Sequence, residues 1–449
     1  MTKQEARRQA QLDDALAIYR AGLDAVRPDR LMERVEWERL FEGIDTFDRM
    51  LVVGAGKAAM AMAGAVEARF GRRIDAGLVV VPHGYVASFP DDRPRPERIE
   101  VVEAGHPLPD AAGVAAAERT LAMVREAGAS DLVLVLLSGG GTALWPAFVD
   151  GISLQAAQTT FELLLHSGAD IHQINTVRKH LSRIGGGRLA TTAFPATVVA
   201  LVLSDVVGDN LSVVASGPTV PDPTTFLDAI HVLQQFELWE KVPPEVRAHL
   251  RSGRDTPEFE TPKAGHPAFR RTLTMLLGSN RQALAAAADE ARRRGYRSRV
   301  VTDRLTGEAR VVGERIARQL CGTPADPPVC LLWGGETTVT LERGGEGGRN
   351  QELALAAALV LEGHTRPVVL LSAGTDGLDG PTDAAGAVVH PETIPEARCR
   401  GLDPDMALQN HDTYPFFKAL DGLVVTGPTH TNVMDLLIGL VGVPDRAAG

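Results

Sequence analysis

Short runs of Val, Leu and Ile, each closed by a glycine-rich turn and followed by an alanine-rich stretch, recur along the chain. Runs this short and uniformly apolar read as strands buried on both faces, and strand, turn, helix is the repeating unit of a parallel α/β sheet. One series comprises 50–57 with a helix over 58–69, then 132–141, then 198–205. A second begins at 273–280 with a helix over 282–294, and continues through 329–336, 368–376 and 423–432. Near the start, Leu12, Ala15, Ile18 and Leu23 recur close to the 3.6-residue period, which predicts helix. Between the two series, 242–267 is rich in Pro, Gly and charge and poor in apolar residues, the composition of a boundary. The expected architecture is therefore α/β: two domains, 1–245 and 268–449, with mainly parallel sheets and an active site in the cleft between them.

Composition narrows the function classes. The chain is 44% hydrophobic and 23% charged, as in ordinary globular proteins, so neither a disordered nor a fibrous chain is in play. No apolar run approaches the ~20 residues that span a bilayer, and the polar start of the chain does not read as a secretory signal, so no membrane partner and a cytoplasmic location are expected. Cys321, Cys330 and Cys399 lack the spacing of a zinc site or a disulfide framework. A formal charge of −11 argues against a general nucleic-acid binder, and 5% aromatic residues leave few stacking platforms for single strands. An anionic small molecule would need a locally basic pocket.

The glycine-rich turns are the places to look, because ligands of open α/β sheets bind at the carboxyl ends of strands, where helix N-termini present free N–H groups. Gly54-Ala-Gly-Lys57 is neither a Walker A loop nor a full dinucleotide fingerprint, and a surface lysine on a tight turn accounts for it as well as a phosphate contact does. Ser138-Gly-Gly-Gly141 puts Gly139, Gly140 and Gly141 where backbone N–H groups can approach an anion. The segment 175–188 concentrates Arg178, Lys179, Arg183 and Arg188, either as a basic pocket or as a solvated helix face. Asp205 follows an apolar strand, with Asn210 nearby, and a carboxylate there can bind Mg²⁺ or take a hydroxyl proton. In the second half, Gly347, Gly348, Arg349 and Asn350 sit at a helix mouth, the arrangement of a phosphate clamp. Asp376, Asp379 and Asp383 follow in a loop that lacks the EF-hand pattern and suits Mg²⁺ held partly by nucleotide phosphates. His430 reads as a structural hydrogen-bonder. Glycines, one lysine, a few arginines and several aspartates, without a Ser/His/Asp order, are what phosphoryl transfer requires.

The ordered set Gly54-Ala-Gly-Lys57-Ala-Ala, Glu103-Ala-Gly-His-Pro-Leu-Pro-Asp110, Leu137-Ser-Gly-Gly-Gly-Thr142, Asn175-Thr-Val-Arg-Lys-His-Leu-Ser182, Ser204-Asp-Val-Val-Gly-Asp209, Ser216-Gly-Pro-Thr219, Gly347-Gly-Arg-Asn-Gln-Glu352 and Gly374-Thr-Asp-Gly-Leu-Asp-Gly380 resembles the glycerate 2-kinase family, the class II glycerate kinases with a MOFRL-type C-terminal domain. The likeness runs from about Met50 to Leu440. It departs at Gly185, where such proteins often carry lysine. The resemblance implies a Rossmann-like N-terminal domain, and transfer from ATP with Mg²⁺ to the 2-hydroxyl of D-glycerate. It implies Lys57 and Arg349 as the catalytic pair. On this expectation Ser138 to Thr142, with Gly54, Gly56 and Lys57, hold the glycerate carboxylate and the phosphoryl group, and Arg178 lies among the binding residues. Arg349 closes from the other domain, Asp205 orients or deprotonates the hydroxyl, and Asp376 binds Mg²⁺, with the two aspartates interchangeable. Both a monomer and a homodimer are compatible with the sequence. Because relatives of this family have been labelled hydroxypyruvate reductases, an NAD(P)H-dependent reductase is the alternative. A non-catalytic binding module would need neither Lys57 nor the aspartates.

Overall fold

The computed structural model describes residues 3–41, 47–340 and 344–444, which divide into two compact units, Leu31–Leu277 and Met1–Arg30 with Gly278–Gly449. The first unit is built on a six-stranded sheet: β1 (Met50–Ala55), β2 (Ala76–Pro82), β3 (Glu100–Ala104), β4 (Leu132–Leu137), β5 (Thr197–Leu203) and β6 (Thr272–Gly278). Its order is β3-β2-β1-β4-β5-β6, and β1 to β5 pair in parallel. Every residue of β1 and β4 is buried, as six consecutive apolar side chains on a sheet covered on both faces require. The chain runs outward from β1 to β2 and β3, then returns to the other side of β1 for β4. The turns after β1 and β4 therefore diverge, and a crevice at the carboxyl ends of those strands follows from the topology.

The second unit carries β7 (Arg297–Leu305), β8 (Val329–Gly335), β9 (Val368–Gly374), β10 (Gly386–Val389), β11 (Leu423–Val424) and β12 (Asp435–Val441), in the order β11-β10-β9-β12-β8-β7. This sheet is mixed. β7 and β8 are parallel, whereas β12 lies between β8 and β9 and is antiparallel to both. In consequence Asp435, the first residue of β12, is level with Gly335 and Gly374, the last residues of its neighbours. The strand expected over 423–432 is confined to Leu423–Val424, and the long apolar strand comes after it.

The unit boundaries differ from those expected. The helix Lys3–Ala25 goes with the second sheet, not with 31–245, because it buries Ala15, Ile18 and Tyr19 there. Its Tyr19 hydroxyl donates to the Gly374 carbonyl (2.6 Å), and Asp14 accepts from Arg294 (2.8 Å) and Tyr296 (2.9 Å). The polar stretch 242–267 is not a linker. Its helix Pro244–Asp255 buries the narrow stripe Val246 and Leu250, and Glu260 accepts from the His180 ring (3.1 Å). β6, half-exposed along most of its length, is an edge strand of the first sheet. Among the described residues no helix is long and apolar enough to cross a membrane.

Candidate active site

At the switch point of the first sheet the two glycine turns are tied to each other. Lys57 N–H donates to the Gly139 carbonyl (2.9 Å), Ala58 N–H to Ser138 Oγ (2.9 Å), and Ser138 N–H to the Ala55 carbonyl (3.2 Å). Gly56 N–H is also used, by the Val80 carbonyl (3.0 Å). Within this pair of turns, the N–H groups without an internal partner among the described residues belong to Gly139, Gly140 and Thr142, so the anion-binding role falls on the second turn. Lys57, half-buried, stands two residues before the helix Ala59–Phe70 and beside that turn.

Two of these glycines are obligatory. Gly56 has φ +135° and any Cβ on it would overlap Ser138. Gly140 has φ +84° and packs on His106, whose Nε2 lies 3.0 Å from where a Cβ would be. Gly56→Ala is expected to lower the unfolding free energy by roughly 2–3 kcal/mol, from strain plus overlap, read as a lower urea midpoint at unchanged slope. In the sequence, His106 belongs to the Glu103–Asp110 motif without a role of its own. It follows β3 at its carboxyl end, the same signal that marked Asp205 after β5.

The basic segment 175–188 separates into four fates. Lys179 forms a buried ion pair with Asp222 (3.2 Å), and Arg183 a two-pronged one with Glu118 (2.8 Å each). Arg188 donates to the carbonyls of Ser182 (3.0 Å) and Phe259 (2.9 Å). Arg178 alone turns toward a small cavity also lined by Gly141, Thr142 and Ser216. There Thr142 Oγ1 and Ser216 Oγ are 2.9 Å apart, and Ser216 donates to Asn175 Oδ1 (3.4 Å). Asn210 is exposed, and its side chain accepts from Ser212 N–H (3.1 Å) and Oγ (2.9 Å) in a local turn. Asp205 is half-buried just beyond β5.

In the second unit the helix Arg349–Leu361 begins at the predicted glycines, but the expected phosphate clamp is filled by protein. Asp379 accepts from Asn350 N–H (3.0 Å) and Gln351 N–H (2.9 Å), and Gly348 lies flat against Asp379 while Gly347 abuts Thr413. The helix mouth thus has its anion already. Asn350 is buried, bonded to Asp379 and to Ser372 Oγ (2.7 Å), so both ends of its amide are already used by protein. Arg349 is held by Asp435 through Nε (2.7 Å) and Nη2 (2.9 Å) and by Glu336 through Nη1 (3.0 Å). Burial pulls its guanidinium down, but the charges of Asp435 and Glu336 more than offset this and hold it well above its usual value. Burial pushes the Asp379 carboxyl up to about 6 against the opposing charge of Arg349. Asp376 is buried, with Oδ1 accepting from Leu378 N–H (3.2 Å). Asp435 and Glu336 were missed from sequence. Glu336 ended a recognised strand, whereas Asp435 could be found only by knowing that β12 runs antiparallel. Among the described residues no three His, Cys, Asp or Glu side chains converge as a metal site.

Residues 14–251 match a domain of unknown function (DUF4147) and residues 329–435 match the MOFRL family. A D-glycerate 2-kinase of Thermotoga maritima is 42% identical over 432 residues, covering 95% of this chain and 97% of its own. A glycerate 2-kinase of Pyrococcus horikoshii is 42% identical over 401 residues, 88% of this chain and 87% of its own. A putative hydroxypyruvate reductase of Agrobacterium vitis is likewise 42% identical over 401 residues, 88% and 87%. The crystal structure of glycerate kinase from Thermotoga maritima superposes with a TM-score of 0.81 at 40% identity, covering 96% of this chain and all of that one (100%). Two α/β units, with a lysine and tied glycine turns at one switch point, are here the frame of a kinase. The chain belongs to the glycerate kinase family whose C-terminal part is a MOFRL region.

Proposed function

We propose that this chain transfers the γ-phosphoryl group of ATP to the 2-hydroxyl of D-glycerate, giving 2-phospho-D-glycerate and ADP. The observation that carries the reading is the tied pair of turns Gly54–Lys57 and Ser138–Thr142 at the switch point of the first sheet, in a chain 42% identical to a relative named D-glycerate 2-kinase. Lys57 and the N–H groups of Gly139 and Gly140 take the oxygens of the transferring group, where fixed donors in a site of low dielectric act most strongly on developing charge. Asp205 orients or deprotonates the acceptor hydroxyl. Arg349 serves the same turnover as a charge fixed in place by Asp435 and Glu336.

Magnesium fits these residues only as an ion bound largely by phosphate oxygens and water with one protein carboxylate, since no three ligands converge among the described residues. Asp376 is the carboxylate offered to it, with Asp205 the interchangeable choice. When bound, the ion neutralises charge on the phosphates.

The reductase alternative has two observations in its favour. The order β3-β2-β1-β4-β5-β6 is that of dinucleotide-binding sheets, and Gly54, Gly56 and Ala59 match a relaxed fingerprint. Against it, β2 ends on Val81-Pro82 and is followed by His83, with no carboxylate for the ribose hydroxyls. Incubation with D-glycerate, Mg²⁺ and ATP, followed by phosphorus NMR, is expected to show 2-phosphoglycerate in step with ADP. Only 3-phosphoglycerate would overturn the regiochemistry. No phosphoglycerate, together with NADH oxidation by hydroxypyruvate, would replace the kinase reading.

A further inference from the structure

A guanidinium in a protein interior costs free energy unless paired, and proteins surround buried arginines with carboxylates or carbonyls accordingly. The neighbours of Arg178 obey this rule. Lys179 has Asp222, Arg183 has Glu118, and Arg188 has two carbonyls. Arg178 does not. Its Nε is enclosed without a hydrogen-bond partner, and among the described residues its guanidinium makes no ion pair. It also lies over the ring of Phe161, 4.9 Å from the centroid. Burial pulls the group down to about 10, with no carboxylate opposing the shift. The cavity beside it has a volume of about 20 Å³, room for one oxygen atom of an anion.

What else faces that cavity is polar and held under strain. Thr142 and Ser216 present their hydroxyls, and Ser216 has φ +59° beside Ala215 at φ +48°, left-handed conformations that non-glycine residues adopt at a cost and that concentrate at functional sites. Gly141, which also lines the cavity, closes the turn whose Gly139 and Gly140 N–H groups receive the phosphoryl group in the reading above. A carboxylate that places one of its oxygens in this cavity would be next to that turn.

We propose that Arg178 anchors the carboxylate of the acceptor, with Thr142 and Ser216 hydroxyls beside it, and so selects a 2-hydroxy acid over the corresponding polyol or aldehyde. This narrows the broader assignment of the carboxylate to Ser138–Thr142 and Lys57, and it rests on the glycerate kinase reading. A carboxylate offers two oxygens to the guanidinium fork, which the compact ammonium of lysine cannot match.

The test compares wild type with Arg178→Met and Arg178→Lys by calorimetric titration with D-glycerate and with glycerol, by steady-state kinetics in each substrate, and by thermal unfolding. Wild type is expected to bind D-glycerate and not glycerol. Arg178→Met is expected to weaken D-glycerate binding and raise its KM by roughly 100-fold, with the KM for ATP changed less than about 3-fold. Arg178→Lys is expected to fall between. Because the arginine has no ion pair or side-chain hydrogen bond to lose among the described residues, and methionine can keep a contact with the Phe161 ring, the melting temperature of Arg178→Met should be unchanged or higher. A lower melting temperature would make Arg178 structural, and a raised KM for ATP alone would give it to the nucleotide; either overturns the proposal, as does unchanged glycerate affinity. Binding of D-glycerate that depends on Arg178 without formation of phosphoglycerate would instead sink the kinase reading and leave the anchor standing.

Discussion

Replacing Arg349 with alanine is expected to reduce turnover by about 10³-fold or more and to destabilise the protein at the same time. The first effect is the usual loss when an arginine serving a phosphoryl transition state is removed. The second follows from what Arg349 touches. Asp435 is 2% exposed and accepts two hydrogen bonds from the guanidinium, and Glu336 accepts a third. Deleting the cation leaves the Asp435 carboxylate buried without a counter-charge. Breaking a buried pair in this way costs ~3–5 kcal/mol, and the 27% exposure of the Arg349 side chain reduces that to roughly 2–4 kcal/mol. In a unit of this size each kcal/mol moves the melting temperature by about 2–4 °C, so calorimetry should register a clear drop.

The same variant carries a pH signature. Asp379, already pushed up to about 6 by burial, is held down partly by the charge of Arg349. A carboxyl with a raised folded-state value contributes stability that is complete below its unfolded value near ~4 and is lost as pH rises through the folded value. In the wild type that loss falls between about pH 4 and 6. Without Arg349 it extends to higher pH. The double variant Arg349→Ala with Asp435→Asn removes the stranded charge, so it should recover most of the stability and none of the turnover. Recovered turnover would mean that Arg349 acts only by neutralising Asp435.

The residues that were legible in the sequence are those whose signal is local. β1 and β4 could be read because six apolar residues in a row admit few placements besides a doubly covered strand, and their turns because glycine occupies conformations other residues avoid. Information carried by distant partners was hidden. Arg178, Lys179, Arg183 and Arg188 look alike in a basic run, yet Asp222, Glu118 and the Phe259 carbonyl set three of their fates from 43, 65 and 71 residues away. Asp435 shows the same limit for topology. On a parallel strand the first residue lies at the end opposite the ligand-binding loops, and the insertion of β12 against the direction of β8 and β9 is what brings it to Arg349. Glycines at a helix mouth were likewise ambiguous between approach by a phosphate and approach by Asp379, which a distant turn supplies. The low apolar content of 242–267 misled for a simpler reason. A helix that covers its neighbours with one narrow stripe needs few apolar residues to be part of a domain.

Lys57→Ala is expected to lower turnover by about 10³-fold while leaving the melting temperature within about 2 °C of wild type. The side chain stands at the switch point, but the turn beneath it is built from backbone. Lys57 N–H to the Gly139 carbonyl, Ala58 N–H to Ser138 Oγ and the tight fit of Gly56 against Ser138 all survive truncation to alanine. A lysine close to the start of a helix works against the helix dipole, so its removal carries a small stabilising component as well. Lys57→Arg should not restore rate, because a broader planar fork replaces a compact charge in a turn that is closed by contact between Gly56 and Ser138. Rate and stability therefore separate the two cations. Loss of rate at constant stability is the mark of a charge that acts on the substrate, and Lys57 should show it. Loss of both, divided by the Asp435→Asn change, is the mark of a charge that the fold itself relies on, and Arg349 should show that. Turnover near the wild-type level in Lys57→Ala would remove the one side chain that joins the switch point to phosphoryl transfer, and the site would have to be sought elsewhere in the chain.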